Sequence, residues 1–280
     1  MKLSFCKMSG AGNDFVVADN RDRAIPEEGR RQWIERVCRR AVSVGADGVL
    51  LIEPADGDAD FRMRYYNSDG GEAESCGNGA RCIARFAHHI GAAPEQMRFE
   101  TKAGLYHARV FANNEVEIGM TDPFDLRRGA VALQFDSLPA VTVDHLNTGV
   151  PHAVAWMQNI ESVDVQNLGH AIRFHPAFQP AGANANFVQV VNESTLRIRT
   201  YERGVEGETL ACGTGCVAAA SLAGINGWVK PPVAVHTRGG VVLTINYDRE
   251  GEAIRNVRLR GEARIVFKGE LIEPFMEHGD

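Results

Sequence analysis

Short runs of alternating apolar and polar residues recur along the chain and are separated by glycine-rich turns. Residues 61–66 and 196–201 place apolar side chains at about every second position, which predicts half-buried β-strands. Residues 49–52 and 187–190 are short β-branched or aromatic runs, which are typical of strands. Further alternating segments lie at residues 116–118 and 257–259.

Three segments have the pattern of helices. Residues 27–40 carry an apolar stripe on one side, as an amphipathic helix does. Residues 79–90 and 215–226 follow glycine-rich turns and end at Gly91 and Gly227, which suit the position just after a helix. The second of these segments is rich in alanine, a strong helix former. No other segment predicts a strong helix, so strands dominate the expected structure.

The chain repeats itself at about half its length. The sequence Cys-Gly-Asn-Gly at residues 76–79 recurs as Cys-Gly-Thr-Gly at residues 212–215, which is 136 positions later. Residues 101–104 match residues 237–240 at the same spacing. Such near-constant spacing is difficult to explain by chance similarity between glycine-rich loops, so we infer two homologous halves.

The duplication predicts two domains of the same plan. We place them at residues 1–130, with Cys76, and residues 131–280, with Cys212, and expect the last strand to pack back on the first half. The element pattern predicts an α+β fold of two pseudo-symmetric domains, each an antiparallel, barrel-like sheet around a central helix. The active site is expected in the cleft between the domains.

The composition of the chain excludes several classes of protein. The chain has 280 residues, of which 44% are hydrophobic and 24% charged, as in globular proteins. A net charge of −6 argues against a broad nucleic-acid footprint. No apolar run is long enough for a membrane span and no signal peptide is evident, so we expect a cytoplasmic protein. Six cysteines are too few for a disulfide framework.

Cys76 and Cys212 each stand just before a turn that opens a predicted helix. A helix N-terminus presents unpaired N–H groups and the positive end of the helix dipole. This setting favours a thiolate, so it predicts a lowered thiol pKa. The same N–H groups can hold a carboxylate. The other four cysteines are expected to be small buried side chains: Cys6, Cys38, Cys82 and Cys216.

Two thiols on opposite sides of one cleft fit a specific chemistry. Inverting a carbon stereocentre requires removal of a proton from one face and addition of a proton to the other, which a thiolate and a thiol can perform. Helix N-termini aimed at the substrate carboxylate would stabilise the developing negative charge. No lysine lies in the two Cys-Gly-x-Gly turns and no zinc-type Cys-x-x-Cys pair occurs, so neither a cofactor nor a metal is expected.

The motifs resemble those of the diaminopimelate epimerase family over the whole chain. They are residues 8–15, 67–70, 76–82, Pro151-His152, Asn184, 201–204 and 207–215. The resemblance implies cofactor-independent conversion of LL-2,6-diaminopimelate to meso-diaminopimelate, in lysine and peptidoglycan-precursor biosynthesis. It also implies a small-molecule substrate, no nucleic-acid or membrane partner, and a homodimer.

The resemblance also implies roles for individual residues. Cys76 and Cys212 are the acid–base pair, and His152 and Glu202 tune the two thiols. The implied substrate-binding residues are Asn13, Asn67, Gly77, Asn78, Asn184, Glu202, Arg203, Gly213 and Thr214. Arg203 suits a carboxylate, because a guanidinium can donate two parallel hydrogen bonds.

Two departures from the family pattern leave the substrate preference open. Val150 stands where the family commonly has asparagine before Pro-His, so one hydrogen bond to the distal end of the substrate is missing or is supplied by Asn147. Gly71 stands where serine is common. The alternatives are a two-cysteine racemase of histidine, proline or hydroxyproline on the same fold, and a non-catalytic amino-acid-binding protein.

Overall fold

The computed structural model describes residues 2–73, 76–134 and 140–272. The chain divides into two compact units. The first contains the described residues up to Ile118 together with residues 261–272, and the second runs from Gly119 to Arg260. The division therefore falls at Ile118, earlier than the predicted boundary after residue 130, and the second domain ends before the C-terminus.

The first unit is a sheet of eight strands with two helices. Its strands are β1 (Leu3–Gly10), β2 (Asn13–Asp19), β3 (Gly48–Glu53), β4 (Phe61–Asn67), β5 (Gln96–Thr101), β6 (Gly104–Val110), β7 (Glu115–Gly119) and β17 (Arg264–Leu271). Its helices are α1 (Arg30–Cys38) and α2 (Gly77–His89). The last strand, β17, pairs antiparallel with β1, which is why the end of the chain belongs to the first unit.

The second unit has the same plan, again with two α-helices, and has one additional short strand. Its strands are β8 (Phe124–Leu133), β9 (Val141–Asn147), β10 (Pro151–Trp156), β11 (Asn184–Asn192), β12 (Thr195–Glu202), β13 (Gly207–Thr209), β14 (Val233–His236), β15 (Val242–Glu250) and β16 (Ala253–Glu262). Its α-helices are α3 (Val165–Arg173) and α4 (Gly213–Ile225), and 3₁₀ turns lie at Ile160–Ser162 and Pro176–Phe178.

The order of strand pairings is the same in both units, as the duplication predicts. From β17 through β7, the pairings are antiparallel, antiparallel, parallel, antiparallel, parallel, antiparallel and antiparallel. The second unit repeats this order from β8 through β16, with β13 added beside β12. The α+β fold is as expected, but the sheets are mixed and not antiparallel as predicted. Parallel neighbours need a crossover connection, and here each crossover between parallel strands contains a helix.

The helix that follows each Cys-Gly-x-Gly turn is the most buried helix of its unit. Every residue of α4 from Gly215 to Ile225 is buried, as are most residues of α2. These two helices confirm the prediction from the glycine-rich turns, although each begins two residues earlier than predicted. Cys82 and Cys216 lie fully buried within them, as expected, and Cys6 and Cys38 are also buried. None of the described helices has the length and apolar character needed to cross a membrane.

Helix α3 was not predicted from the sequence. Gly169 lies in the middle of this helix and lowers its intrinsic helix propensity. The glycine is required by packing, because a Cβ atom at this position would lie 2.4 Å from Cβ of Tyr201 on β12. A contact between residues distant in sequence therefore determines the helix, and local propensity does not reveal it.

Candidate active site

Cys76 caps the N-terminus of α2 in the first unit. Its backbone is extended, with φ −150° and ψ 113°, and its side chain is half-buried. The backbone N–H of Gly79 donates to Sγ at 3.4 Å. The thiol therefore occupies the place of an N-cap side chain, where the helix dipole favours negative charge.

Asn78 and Asn13, two of the predicted substrate-binding residues, lie in direct contact. Nδ2 of Asn78 donates to Oδ1 of Asn13 at 2.8 Å. Nη2 of Arg81, a fully buried side chain, donates to Oδ1 of Asn78 at 2.7 Å. Because a guanidinium can only donate, this contact fixes which end of the Asn78 amide is oxygen. Within the described residues, Asn78 keeps one N–H that these contacts do not use, which suits a carboxylate ligand.

Asp47 continues this network on the other side of Asn13. Its Oδ2 accepts from Nδ2 of Asn13 at 3.0 Å and from the backbone N–H of Asp14 at 3.2 Å. Nη2 of Arg40 donates to Oδ1 of Asp47 at 2.8 Å. Charged groups at both ends thus hold the two amides in one orientation. No sequence motif predicted a role for Arg81, Asp47 or Arg40.

Asn67 is exposed at the end of β4, where it accepts a hydrogen bond from Tyr65. The two oxygen atoms are 2.7 Å apart. Burial, with a smaller contribution from the neighbouring Cys76 thiol, raises the pKa of Tyr65 above its ordinary value. Tyr65 therefore remains a protonated donor near Cys76, although no sequence motif predicted a role for it.

Cys212 has the equivalent position at the start of α4 in the second unit. Its backbone is again extended, with φ −120° and ψ 108°, and Sγ lies 3.5 Å from Oγ1 of Thr214. Unlike Cys76, Cys212 is buried, with 6% of its surface exposed.

The charge state of Cys212 differs from the expected one. Burial and the negative charge of Glu202 raise its pKa to about 12, although hydrogen bonds from Thr214 and Gly215 oppose the shift. The prediction of a lowered thiol pKa at a helix start was therefore wrong for Cys212, because desolvation outweighs the helix end. This thiol is protonated at neutral pH.

Glu202 and Arg203 lie where β12 ends. Burial raises the pKa of Glu202, and the Thr209 hydroxyl opposes that shift. The backbone N–H of Arg203 donates to Oδ1 of Asn184 at 2.8 Å, and Nδ2 of Asn184 donates to the carbonyl of Pro151 at 3.2 Å. Asn184 therefore joins the ends of β10 and β12 and positions the backbone at Arg203.

His152 is fully buried on β10, opposite Asn184 in the parallel pairing with β11. Burial, together with the positive charges of His145 and Arg203, lowers its pKa to about 3. His152 is therefore neutral at any pH near neutrality.

The turn before His152 is anchored to the start of α4. Oδ1 of Asn147 accepts from the backbone N–H of Gly149 at 2.9 Å, so this oxygen supports the turn. Oγ1 of Thr148 donates to the carbonyl of Thr214 at 3.1 Å. Val150, next to His152, supplies no polar side-chain atom to this turn.

The two helix starts present equivalent sets of backbone donors. Gly77 and Asn78 are the first residues of α2, and Gly213 and Thr214 are the first residues of α4. The first N–H groups of a helix have no partner within the helix. Each helix start therefore combines a thiol with N–H groups suited to an anion.

A family model described as diaminopimelate epimerase matches residues 5–125 and 145–266. The chain belongs to the diaminopimelate epimerase family. The diaminopimelate epimerase of Aquifex aeolicus (strain VF5) is 44% identical over 99% of this chain and 100% of its own length. That of Chlorobaculum tepidum is 40% identical over 94% of this chain and 98% of its own length. The chain is thus an isomerase.

A solved structure shows the same fold at low identity. The phenazine biosynthesis protein of the PhzF family from Bacillus anthracis matches with a TM-score of 0.71 and 16% identity, over 98% of this chain and 100% of that chain. The two-domain α+β fold of this epimerase is therefore shared with that protein.

In this epimerase, the charge of Glu202 provides a test of the Cys212 environment. We expect Glu202→Gln to lower the pKa of Cys212, because it removes the negative charge that disfavours the thiolate. The rate of Cys212 alkylation by iodoacetamide at neutral pH should rise several-fold, as followed by mass spectrometry of the labelled peptide.

Glu208→Gln is the matched control for this measurement. Glu208 lies on β13 and its carboxylate accepts two hydrogen bonds from Arg199, at 2.7 and 2.8 Å. This control should leave the alkylation rate of Cys212 unchanged. An equal rate in wild type and Glu202→Gln would show that Glu202 does not act on the thiol.

Proposed function

We propose that this chain epimerises LL-2,6-diaminopimelate to meso-diaminopimelate with Cys76 and Cys212 as the two acid–base groups. The observation that carries the proposal is the equivalent placement of two thiols, each at the N-terminus of the most buried helix of its unit, in a member of this family. The chemistry uses neither pyridoxal phosphate nor a metal.

The reaction requires the two thiols to reach opposite faces of the same α-carbon. Cys212 is protonated at rest and begins as the acid, so Cys76 is assigned as the base of this half-reaction. The Cys76 thiolate takes the α-proton, and the electron pair of the C–H bond passes toward the substrate carboxylate. The Cys212 thiol then donates its proton to the opposite face, which leaves Cys212 as a thiolate for the reverse reaction.

The helix starts stabilise the charge that develops on the carboxylate. Backbone N–H groups of Gly77, Asn78, Gly213 and Thr214 are preorganised donors, so they need no rearrangement as the charge appears. The fixed orientation of the Asn78 amide adds a further donor.

The second amino-acid end of the substrate needs its own polar partners. Arg203 suits the distal carboxylate and Glu202 an ammonium group, while asparagine can serve either. The proposed residues of this subsite are Asn13, Asn67, Asn184, Glu202 and Arg203.

The decisive experiment follows α-hydrogen exchange. Reduced protein is incubated with LL-diaminopimelate in deuterated water, and the products are analysed by chiral chromatography and mass spectrometry. We expect meso-diaminopimelate that carries one deuterium at the inverted carbon. No inversion and no deuterium uptake, from folded protein with reduced thiols, would overturn the substrate assignment.

The same experiment also tests alternative substrates, because Val150 leaves the substrate preference open. Because this position lacks the usual asparagine, histidine, proline and hydroxyproline are tested in parallel. Racemisation of one of these without reaction of diaminopimelate would favour the related racemase. Binding of an amino acid without α-hydrogen exchange would favour a non-catalytic binding protein.

We propose further that the enzyme acts in the cytoplasm as a homodimer, within lysine and peptidoglycan-precursor biosynthesis. Support for self-association comes from the exposed apolar side chains of Val266 and Phe267 on β17. Sedimentation velocity at micromolar concentration tests the dimer, and a monomer mass there would contradict it.

A further inference from the structure

Asn186 is a buried residue on β11 whose amide orientation is determined by its neighbours. Its Nδ2 lies 3.1 Å from the carbonyl oxygen of Ala153 and 3.3 Å from that of Asn184. A carbonyl oxygen can only accept, so the nitrogen of the amide must face these two groups. On the other side, Oγ1 of Thr200 donates to Oδ1 of Asn186 at 3.0 Å. The amide therefore has one orientation.

This orientation determines the tautomer of His152. Nδ2 of Asn186 also lies 3.1 Å from Nδ1 of His152. The two hydrogens of this nitrogen therefore face three acceptors, and one hydrogen is shared between two of them. Because the amide nitrogen has no acceptor lone pair, Nδ1 must be the unprotonated nitrogen of the ring. The proton of the neutral imidazole is then on Nε2. A second proton on Nδ1 would place two N–H groups against each other.

The remaining nitrogen of the ring is a donor that the described residues leave unused. His152 is 0% exposed, and its Nε2 has no hydrogen-bond partner among the residues that the structure describes. Buried polar groups in proteins are almost always paired, so an orphaned donor calls for a functional explanation. An acceptor that arrives or forms during catalysis supplies one.

We propose that His152 serves as a neutral hydrogen-bond donor, through Nε2–H, to an anion in the active site, and that Asn186 is the positioning residue that fixes this tautomer. The donation to an anion rests on the proposed epimerase function, whereas the assignment of the tautomer does not. The anion is a thiolate or a substrate carboxylate, both of which accept a hydrogen bond. His152 thus stabilises negative charge and does not remove a proton from a thiol.

The tautomer can be read directly from the wild-type protein. Long-range ¹H–¹⁵N spectra of histidine-labelled enzyme distinguish the protonated from the unprotonated ring nitrogen, and His152→Gln assigns the signals by their loss. We expect Nε2 protonated and Nδ1 unprotonated from about pH 5 to 8, where an ordinary histidine titrates. A protonated Nδ1, or a ring that becomes cationic in this range, would overturn the proposal.

Two substitutions at His152 distinguish a hydrogen-bond donor from a residue that transfers a proton. A glutamine side chain presents an N–H near the position of Nε2 but cannot act as a base at neutral pH. We expect His152→Gln to lower kcat by less than about tenfold, and His152→Ala to lower it by about a hundredfold or more, the range of a lost acid–base or charge-stabilising group. Equal losses in the two folded variants would show that His152 transfers a proton.

Asn186→Asp tests the positioning role. It keeps the side-chain shape but replaces the donor with an acceptor, so Nδ1 of His152 should gain the proton and the histidine spectrum should change accordingly. We expect kcat to fall as far as in His152→Ala, with a smaller change in KM. Asn192→Asp, at an exposed position of the same strand, is the matched control and should retain the wild-type spectrum and rate. An unchanged His152 spectrum in folded Asn186→Asp would contradict the positioning role. If this variant does not fold, the wild-type spectrum still decides the tautomer.

The identity of the anion is decided by the Nε2–H resonance. If the acceptor is the Cys212 thiolate, which forms only after the thiol has given its proton to the substrate, added diaminopimelate shifts this resonance in wild type but not in Cys212→Ala. If it is a substrate carboxylate, added diaminopimelate shifts the resonance in both proteins. No shift in any of these samples would overturn the donor role. A wild-type protein with the expected tautomer but no α-hydrogen exchange would contradict the proposed function alone.

Discussion

Replacing either Cys76 or Cys212 with alanine should lower the rate of diaminopimelate epimerisation by about a thousandfold or more. A two-base inversion needs a proton acceptor on one face and a donor on the other, so neither thiol can substitute for the other. Positioned acid–base groups contribute roughly 10²- to 10⁴-fold each. The assay is the appearance of the meso isomer, and circular dichroism checks that each variant is folded.

The buried cysteines of the same two helices provide matched controls. Cys82→Ala and Cys216→Ala also remove a thiol from α2 and α4, but from fully buried positions. These variants should lose some stability through lost packing and retain most of the activity. Substantial activity in Cys76→Ala or Cys212→Ala would exclude the two-thiol mechanism.

The second large effect is expected at Gly215, in the first turn of α4. A Cβ atom there would lie 2.4 Å from Oδ1 of Asn186 and 3.4 Å from Sγ of Cys212. Asn186 cannot move without breaking its hydrogen bonds to Thr200 and to the backbone of β10. We expect Gly215→Ala to lower the free energy of unfolding by about 1–3 kcal/mol, the usual cost of overpacking, and to lower the activity as well.

The equivalent residue of the first unit is the control for this prediction. At Gly79 the same Cβ would meet Cδ2 of Leu50 at 3.2 Å and Cε of Met63 at 3.5 Å, which are the ends of flexible side chains. The gain in helix propensity from glycine to alanine, up to about 1 kcal/mol, offsets much of this contact. Urea denaturation should therefore show a clearly smaller loss for Gly79→Ala. Equal losses would show that the Asn186 contact is not the cause.

Much of the local structure followed from residue patterns. The alternating segments form β4 and β12, and the turns at Cys76 and Cys212 open α2 and α4. These features were predictable because glycine content and the alternation of side chains depend only on neighbouring residues. The constant 136-residue spacing anticipated two units with one order of strand pairings. The parallel pairings were not foreseen, since they depend on how each crossover returns the chain to the sheet.

Within the candidate site, the residues that lie in short motifs were recognised from the sequence. The partners that hold them in place were not. Asn13 and Asn78 are 65 positions apart in the chain and meet through one hydrogen bond. Asp47, which orients Asn13, lies 34 positions away from it. No local signal marks such partners, because folding brings them together over long stretches of chain.

The sequence by itself determined the duplicated plan, the two helix-start thiols and, through its motifs, the resemblance to an epimerase family. Only the tertiary structure decided that Cys212 is buried beside Glu202 and therefore protonated, and that Asn186 holds His152 as a neutral donor. The physical reason is that helix starts and strands arise from neighbouring residues, whereas burial, charge proximity and amide orientation arise from residues that only the folded chain brings into contact.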